Sequence, residues 1–106
     1  MQSDTSPGAI AEYAVVHVAT MAKKPSDVSF NDAASLGLAG QTAVQALRKL
    51  NVGEGSKVCI TGGAGGVGTL AIQIAKMLGA STVATTASAG DKTELCKSLG
   101  ADVVVK

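Results

Sequence analysis

A chain of 106 residues with 46 % hydrophobic side chains is long enough for one folded domain and too apolar for a disordered tail. Its net charge of +1 gives no electrostatic reason to expect nucleic acid or an anionic membrane as partner, and no apolar run approaches the length of a membrane span. Cys59 and Cys96 lie far apart, with no C-x-x-C spacing and no neighbouring histidine, which argues against a zinc cluster or a disulfide framework and fits a reducing compartment.

Met1 to Gly8 is polar, ends in Pro7-Gly8 and carries neither positive charge nor an apolar stretch, so it reads as a loop or frayed end without a targeting signal. Ala9 to Val18 is apolar and partly alternating through Ile10, Tyr13, Val15, Val16 and Val18, which predicts a strand with the single histidine, His17, on its surface. A connector containing Pro25 follows. Ser29 with Asp32 three residues on then has the spacing of a capping box. The pattern predicts a short helix over Phe30 to Leu36, a kink or break at Gly37 and Gly40, and a second helix over Gln41 to Leu50 with Ala43, Ala46, Leu47 and Leu50 buried. Asn51 to Ser56 is the turn beyond it.

The chain is organised around Lys57 to Gly79. Val58, Cys59 and Ile60 are too few for a helix and meet Gly62 and Gly63 at once, as a buried parallel strand ending in a sharp turn would, with Cys59 as a small core residue. Val67, Leu70, Ala71, Ile74, Ala75 and Leu78 then recur at spacings of three and four, one face of a helix that Gly79 ends. Between them stands Gly63-x-Gly65-x-x-Gly68, the dinucleotide fingerprint in the strand-turn-helix context that it requires. Gly63 allows the tight exit, Gly65 lets backbone approach a pyrophosphate, and Gly68 lets helix and strand pack closely. The helix N-terminus supplies unpaired N–H groups and positive dipole. A purely structural turn is the alternative reading. A P-loop is not, because Thr69 and Leu70 stand where lysine and a hydroxyl residue would be needed.

Thr82 to Thr86 predicts a second strand, Asp91 to Leu99 a helix with Leu95, a half-buried Cys96 and Leu99 inward, and Val103 to Val105 a third strand. Leu-Gly-Ala recurs at 78 to 80 and 99 to 101, each time between a helix and a strand, so one βα unit repeats, with parallel strands and right-handed crossovers. A dinucleotide fold has two such halves and only one is present, so the sequence reads as part of a longer protein cut before Met1 and after Lys106. NAD-binding units carry an acidic residue about twenty positions past the glycines, where this chain has Thr86, Ala87 and Ser88. A 2′-phosphate could instead be bound by the Ser88 hydroxyl and by Lys92, so NADPH is expected in preference to NADH.

Ala11-Glu12-Tyr13, Asp32-Ala33-Ala34-Ser35-Leu36, Gly40-Gln41-Thr42-Ala43, the segment from Ile60 to Gly68, and Leu99-Gly100-Ala101-Asp102 together resemble the medium-chain dehydrogenase/reductases, with the zinc-independent quinone oxidoreductases as the closest branch. The match runs in order from about Gly8 to Lys106. It implies an α/β fold: a partial Rossmann-type, doubly wound parallel sheet at 57–106, crossover helices at 26–56, and the end of a GroES-like catalytic domain at 1–25. It implies that Gly65, Gly66 and Val67 line the pyrophosphate, beside Gly63 and Gly68 of the fingerprint, that Ser88 and Lys92 approach the 2′-phosphate, and that Thr42 lies near the nicotinamide. Zinc-dependent relatives carry a cysteine ligand that aligns with Leu38, which cannot coordinate zinc.

The activity so implied is hydride transfer from NADPH to a quinone or α,β-unsaturated carbonyl, in a cytoplasmic homo-oligomeric parent, with an organelle left open by the truncated start. No catalytic side chain is identifiable, and the 106-residue chain alone is expected to be inactive. The other reading is a nucleotide-binding or self-associating module without turnover, because half a sheet would expose apolar strand edges. A short-chain dehydrogenase fits poorly, since its glycine loop lies near the chain's start.

Overall fold

The computed structural model describes residues 8–106, so the expected loop over Met1 to Pro7 lies outside the described residues. Seven regular elements follow in order: α1 (Phe30–Leu36), α2 (Ala39–Lys49), β1 (Lys57–Ile60), α3 (Gly66–Met77), β2 (Thr82–Thr86), α4 (Asp91–Ser98) and β3 (Val103–Val105). The strands form one parallel sheet in the order β1-β2-β3. Val58 pairs with Val83, and Ile60 with Thr85, which pairs with Val104. Two right-handed crossovers stepping the same way across a sheet put α3 and α4 on the same face. Burial records this alternation: Val83 and Thr85 are fully buried and Val58, Ile60 and Val104 partly so, whereas Lys57, Cys59, Val103 and Val105 are exposed on the other face.

Both cysteines depart from expectation. Cys59 is exposed rather than in the core, and Cys96 is fully buried rather than half-buried. Cys59 points to the face that no helix among the described residues covers, while Cys96 lies in the layer between α4 and the sheet. The helix faces are rotated from the expected ones. On α3 the buried face is Gly68, Ala71, Ile72 and Ala75, while Val67 and Leu78 are exposed. On α2, Ala43 and Leu47 are buried and Ala46 and Leu50 exposed. On α4, Leu95 is exposed beside buried Cys96.

Helix termini follow sequence closely. Ser29 caps α1, its Oγ accepting from the Asp32 N–H at 3.0 Å and donating to the Asp32 carboxylate at 2.6 Å, so Asp32 serves the cap through the serine hydroxyl. Gly37, in right-handed helical conformation, and Leu38 form the break between α1 and α2, and Gly40 is accommodated within the second helix. The repeated Leu-Gly-Ala ends α3 and α4 alike. Gly79 (φ 93°) and Gly100 (φ 108°) take the left-handed position, and Ala80 and Ala101 donate back to Ala75 and Cys96, each at 3.0 Å, the Schellman arrangement.

The expected strand over Ala9 to Val18 does not form. This stretch is exposed, with bends and a single 3-10 turn over Val18–Thr20, for which His17 Nδ1 accepts from the Ala19 N–H at 3.2 Å. A strand needs a ladder partner, and this segment pairs with none of β1 to β3. Its apolar side chains Ile10, Tyr13 and Val15 are consequently open to solvent.

Asp102 fastens the second βα unit to the first. Its carboxylate accepts from the Val83 N–H at 2.6 Å and pairs with Lys76 Nζ at 2.7 Å, while its own N–H donates to the Val83 carbonyl at 2.8 Å. The Lys76 ammonium, then the Val83 N–H, hold the Asp102 carboxyl below its ordinary range. A carboxyl with a lowered folded-state pKa stabilises above the unfolded value, about 4, and that contribution is lost as pH falls through the folded value. The urea midpoint of the native chain should therefore drop more steeply on acidification below about pH 4 than that of Asp102→Asn. Parallel midpoint curves across that range would show that the pairing adds nothing.

Candidate functional site

At the C-terminal end of β1 the chain turns through Thr61 to Gly65 and enters α3 at Gly66. Gly62 sits at φ 71°, and its carbonyl accepts from the Gly65 N–H at 2.9 Å, closing the turn. Gly65 is the N-cap, and having no side chain it leaves the cap unfilled. The first intrahelical carbonyl is that of Gly65, which receives the Thr69 N–H at 2.9 Å. The N–H groups of Gly66, Val67 and Gly68, one turn too early for such a partner, are the orphan donors of this terminus, and the helix dipole adds to their pull on an anion.

Two of the three fingerprint glycines are closed off by their neighbours. Gly68 and Gly63 are buried, and a Cβ on either would collide with the turn or with β2. Gly65 and Gly66 are exposed; a Cβ on Gly65 would approach only the Gly62 carbonyl oxygen, at 3.2 Å, and one on Gly66 would meet nothing within 4 Å. The first pair therefore builds the turn, and the second leaves its outer surface bare.

That surface borders a cavity of about 240 Å³ lined by Gly62, Ala64, Gly65, Thr86, Ala87, Ser88 and Lys92. It lies beyond the carboxyl ends of β1 and β2, the position that parallel α/β sheets use for ligands. Lys92 is its one ionised side chain, and no carboxylate lines it. The structure thus brings Gly65, Ser88 and Lys92 together across two βα units. Gly63 and Gly68 support the turn from beneath, and Gly66 and Val67 open the helix beside it. Thr42 is elsewhere: it stands on α2, its Oγ1 donating to the Leu38 carbonyl at 2.9 Å, and does not line this cavity.

Four lining residues lie beyond the expected set: Gly62, Ala64, Thr86 and Ala87. The missing acid at Thr86 and Ala87 points to the right strand end, but gives no reason to count either residue as part of the wall. A larger groove of about 590 Å³ runs between α2 and α3, with Leu36, Val44, Leu70, Ile74 and Met77 on its walls. Its lining is apolar and amide-bearing apart from Arg48, and none of the fingerprint glycines reaches it. Among the described residues no three His, Cys, Asp or Glu side chains are grouped to hold a metal ion. None of the helices there is long and apolar enough to cross a membrane.

Comparison with known proteins places relatives beside this geometry. The family model described as zinc-binding dehydrogenase matches residues 66–106. The 2-methylene-furan-3-one reductase of Solanum lycopersicum is 50 % identical over 99 residues, covering 92 % of this chain and 25 % of that protein. A chloroplastic NADPH-dependent alkenal/one oxidoreductase of Arabidopsis thaliana is 46 % identical over 99 residues, with the same coverage of 92 % and 25 %. Among solved structures, the quinone oxidoreductase of Coxiella burnetii superposes with a TM-score of 0.75 at 48 % identity, over 80 % of this chain and 26 % of that one. The chain therefore spans between 22 % and 33 % of the length of the curated relatives it matches.

Proposed function

The chain belongs to the medium-chain dehydrogenase/reductase superfamily, and on that premise we propose that it binds NADPH for an oxidoreductase acting on a quinone or an α,β-unsaturated carbonyl. The observation that carries this reading is the cavity beside the glycine turn, whose one ionised side chain is Lys92 and which no carboxylate lines. An adenosine ribose bearing a 2′-phosphate needs a cation and hydroxyl donors there, and a carboxylate would repel it.

The residues fit the group. The N–H groups opening α3 would hold a pyrophosphate over Gly65 and Gly66, where the absent side chains leave room for it, and Ser88 and Lys92 would hold the 2′-phosphate, the hydroxyl donating and the ammonium offsetting its charge. When bound, the dinucleotide supplies the hydride; this chain supplies orientation and charge. Thr42 belongs to the nicotinamide end of the same ligand. Relatives named for alkenal/one reduction and quinone reduction support the substrate class: a carbonyl conjugated to a carbon that can accept hydride. Residues 1–25 are assigned to the end of a catalytic domain and 57–106 to the nucleotide domain, with 26–56 crossing between them. The parent is a cytoplasmic homo-oligomer in this reading.

Zinc does not fit the described residues. Leu38, at the N-cap of α2, is largely exposed and offers no donor, and no step is assigned to a metal.

Calorimetric titration of the 106-residue chain with NADPH and NADH tests the reading. NADPH should bind more tightly. Lys92→Glu should weaken NADPH about ten- to a hundredfold, the worth of a charge-assisted contact, and change NADH by less than about threefold. Gly65→Val should abolish both. Equal affinity of the native chain for the two dinucleotides would overturn the assignment of Ser88 and Lys92.

A further inference from the structure

We propose that Thr86 is a positioning residue for the dinucleotide, the latch by which β2 holds the glycine turn at a fixed distance from the 2′-phosphate pocket. The proposal rests on the NADPH reading of that pocket and adds to it a residue in which no phosphate contact is invoked.

The turn over Thr61 to Gly65 is rich in glycine and has few side chains with which to anchor itself. Its internal bond, Gly65 N–H to the Gly62 carbonyl, sets its curvature but not its position. Both long-range hydrogen bonds described for the turn end on Thr86. The Gly62 N–H donates to Thr86 Oγ1 at 2.9 Å, and the Gly63 N–H donates to the Thr86 main-chain carbonyl at 2.9 Å. The next residue continues the line, the Ala87 N–H donating to the Val105 carbonyl at 3.0 Å. Thr86 therefore joins the end of β1 to the end of β3 through β2, and the loop that it opens carries Ser88.

The main-chain bond survives any substitution at 86, but the side-chain bond needs a hydroxyl oxygen. Without it the Gly62 N–H is released, and the residue with φ 71° loses the one hydrogen bond described for it outside the turn. The turn can then shift relative to Ser88 and Lys92. A ligand that spans both, with its pyrophosphate on the turn and its 2′-phosphate in the pocket, feels that loss of preorganisation. A ligand that reaches only the pocket does not. This separates positioning from direct binding.

Thr86→Val keeps the shape and removes the hydroxyl, and Thr86→Ser keeps the hydroxyl. In Thr86→Val the Gly62 amide should exchange faster by NMR in the absence of ligand, while the Gly63 amide, bonded to the carbonyl, keeps its protection. NADPH affinity should fall about five- to tenfold, the range of one hydrogen bond; 2′-AMP affinity, which registers any direct contact of the Thr86 side chain that lines the pocket, should fall by a clearly smaller factor, and Thr86→Ser should restore both the Gly62 protection and the NADPH affinity. Unchanged Gly62 exchange or unchanged NADPH affinity in Thr86→Val overturns the latch. So does failure of both Thr86→Val and Thr86→Ala to fold when Thr86→Ser folds, which would make the hydroxyl structural. A native chain that binds 2′-AMP and NADPH not at all would overturn the pocket's assignment instead; the Gly62 and Gly63 amides, read without ligand, would still decide the latch.

Discussion

Replacing Gly68 with alanine should unfold the glycine turn and lower the stability of the whole chain by about 3 kcal/mol or more. Helix propensity alone predicts the opposite sign, since alanine in place of glycine within a helix gains about 1 kcal/mol. Space decides. A Cβ on Gly68 would overlap the Gly62 carbonyl oxygen and stand 2.8 Å from Gly63 Cα and 2.9 Å from Gly63 C. All three atoms are backbone, so no rotamer change relieves the clash. The carbonyl that must move accepts the Gly65 N–H at 2.9 Å, so relief breaks the bond that closes the turn. Gly66, two residues earlier on the same helix, has nothing within 4 Å of where a Cβ would stand and serves as the control: Gly66→Ala should match or exceed the native urea midpoint. A Gly68→Ala midpoint equal to the native one would show that the helix and turn can separate without cost, and that the close approach is incidental.

The parts of the fold that can be read from sequence are those set by local chemistry. Ser29 capping α1, the glycine pair ending α3 and α4, and the strand-turn-helix at 57–79 each depend on residues within a few positions of one another. Burial is less legible because it depends on what packs from outside the element. Cys59, Ala46, Leu50 and Leu95 are apolar residues in apolar patterns, yet each faces a side that no element among the described residues covers. Ile72 departs in the other direction: it falls outside the spacing of three and four read from the sequence, yet with Gly68, Ala71 and Ala75 it forms the buried face of α3. Ala9 to Val18 has the composition of a strand, and composition cannot provide a ladder partner.

For the site, the glycines are legible because backbone sterics is a local matter, and Ser88 and Lys92 are reached by counting along a repeated unit. Thr86 gives no such signal, for a chemical reason. A threonine at a strand end satisfies β-propensity, which accounts for it without reference to Gly62, twenty-four positions earlier. Only the parallel pairing of β1 with β2 brings the two together.

Gly63→Ala should destabilise the chain by about 2–4 kcal/mol, and the loss should be partly recovered when Thr85 is replaced as well. Gly63 is not at positive φ, so alanine suits its backbone; the cost is steric and comes from β2 and α4. A Cβ there would overlap Thr85 Oγ1, lie 2.9 Å from Thr85 Cγ2 and lie 3.0 Å from Cys96 Sγ. Thr85 is fully buried, its branched side chain is stiff about χ1, and its hydroxyl donates to the Ile60 carbonyl at 2.6 Å. It cannot turn aside without losing that bond. Thr85→Ala alone should cost about 1–2 kcal/mol, from the lost hydrogen bond and the small void. In the double variant the new methyl occupies part of the space that Thr85 vacated, so the combined loss should be at least about 1 kcal/mol smaller than the sum of the single losses. Urea unfolding of the four proteins measures this coupling. Additivity within about 0.5 kcal/mol would mean that the clash is relieved elsewhere, against Cys96 or by movement of the turn, and that the fit of Gly63 against Thr85 does not set the height of the turn above the sheet.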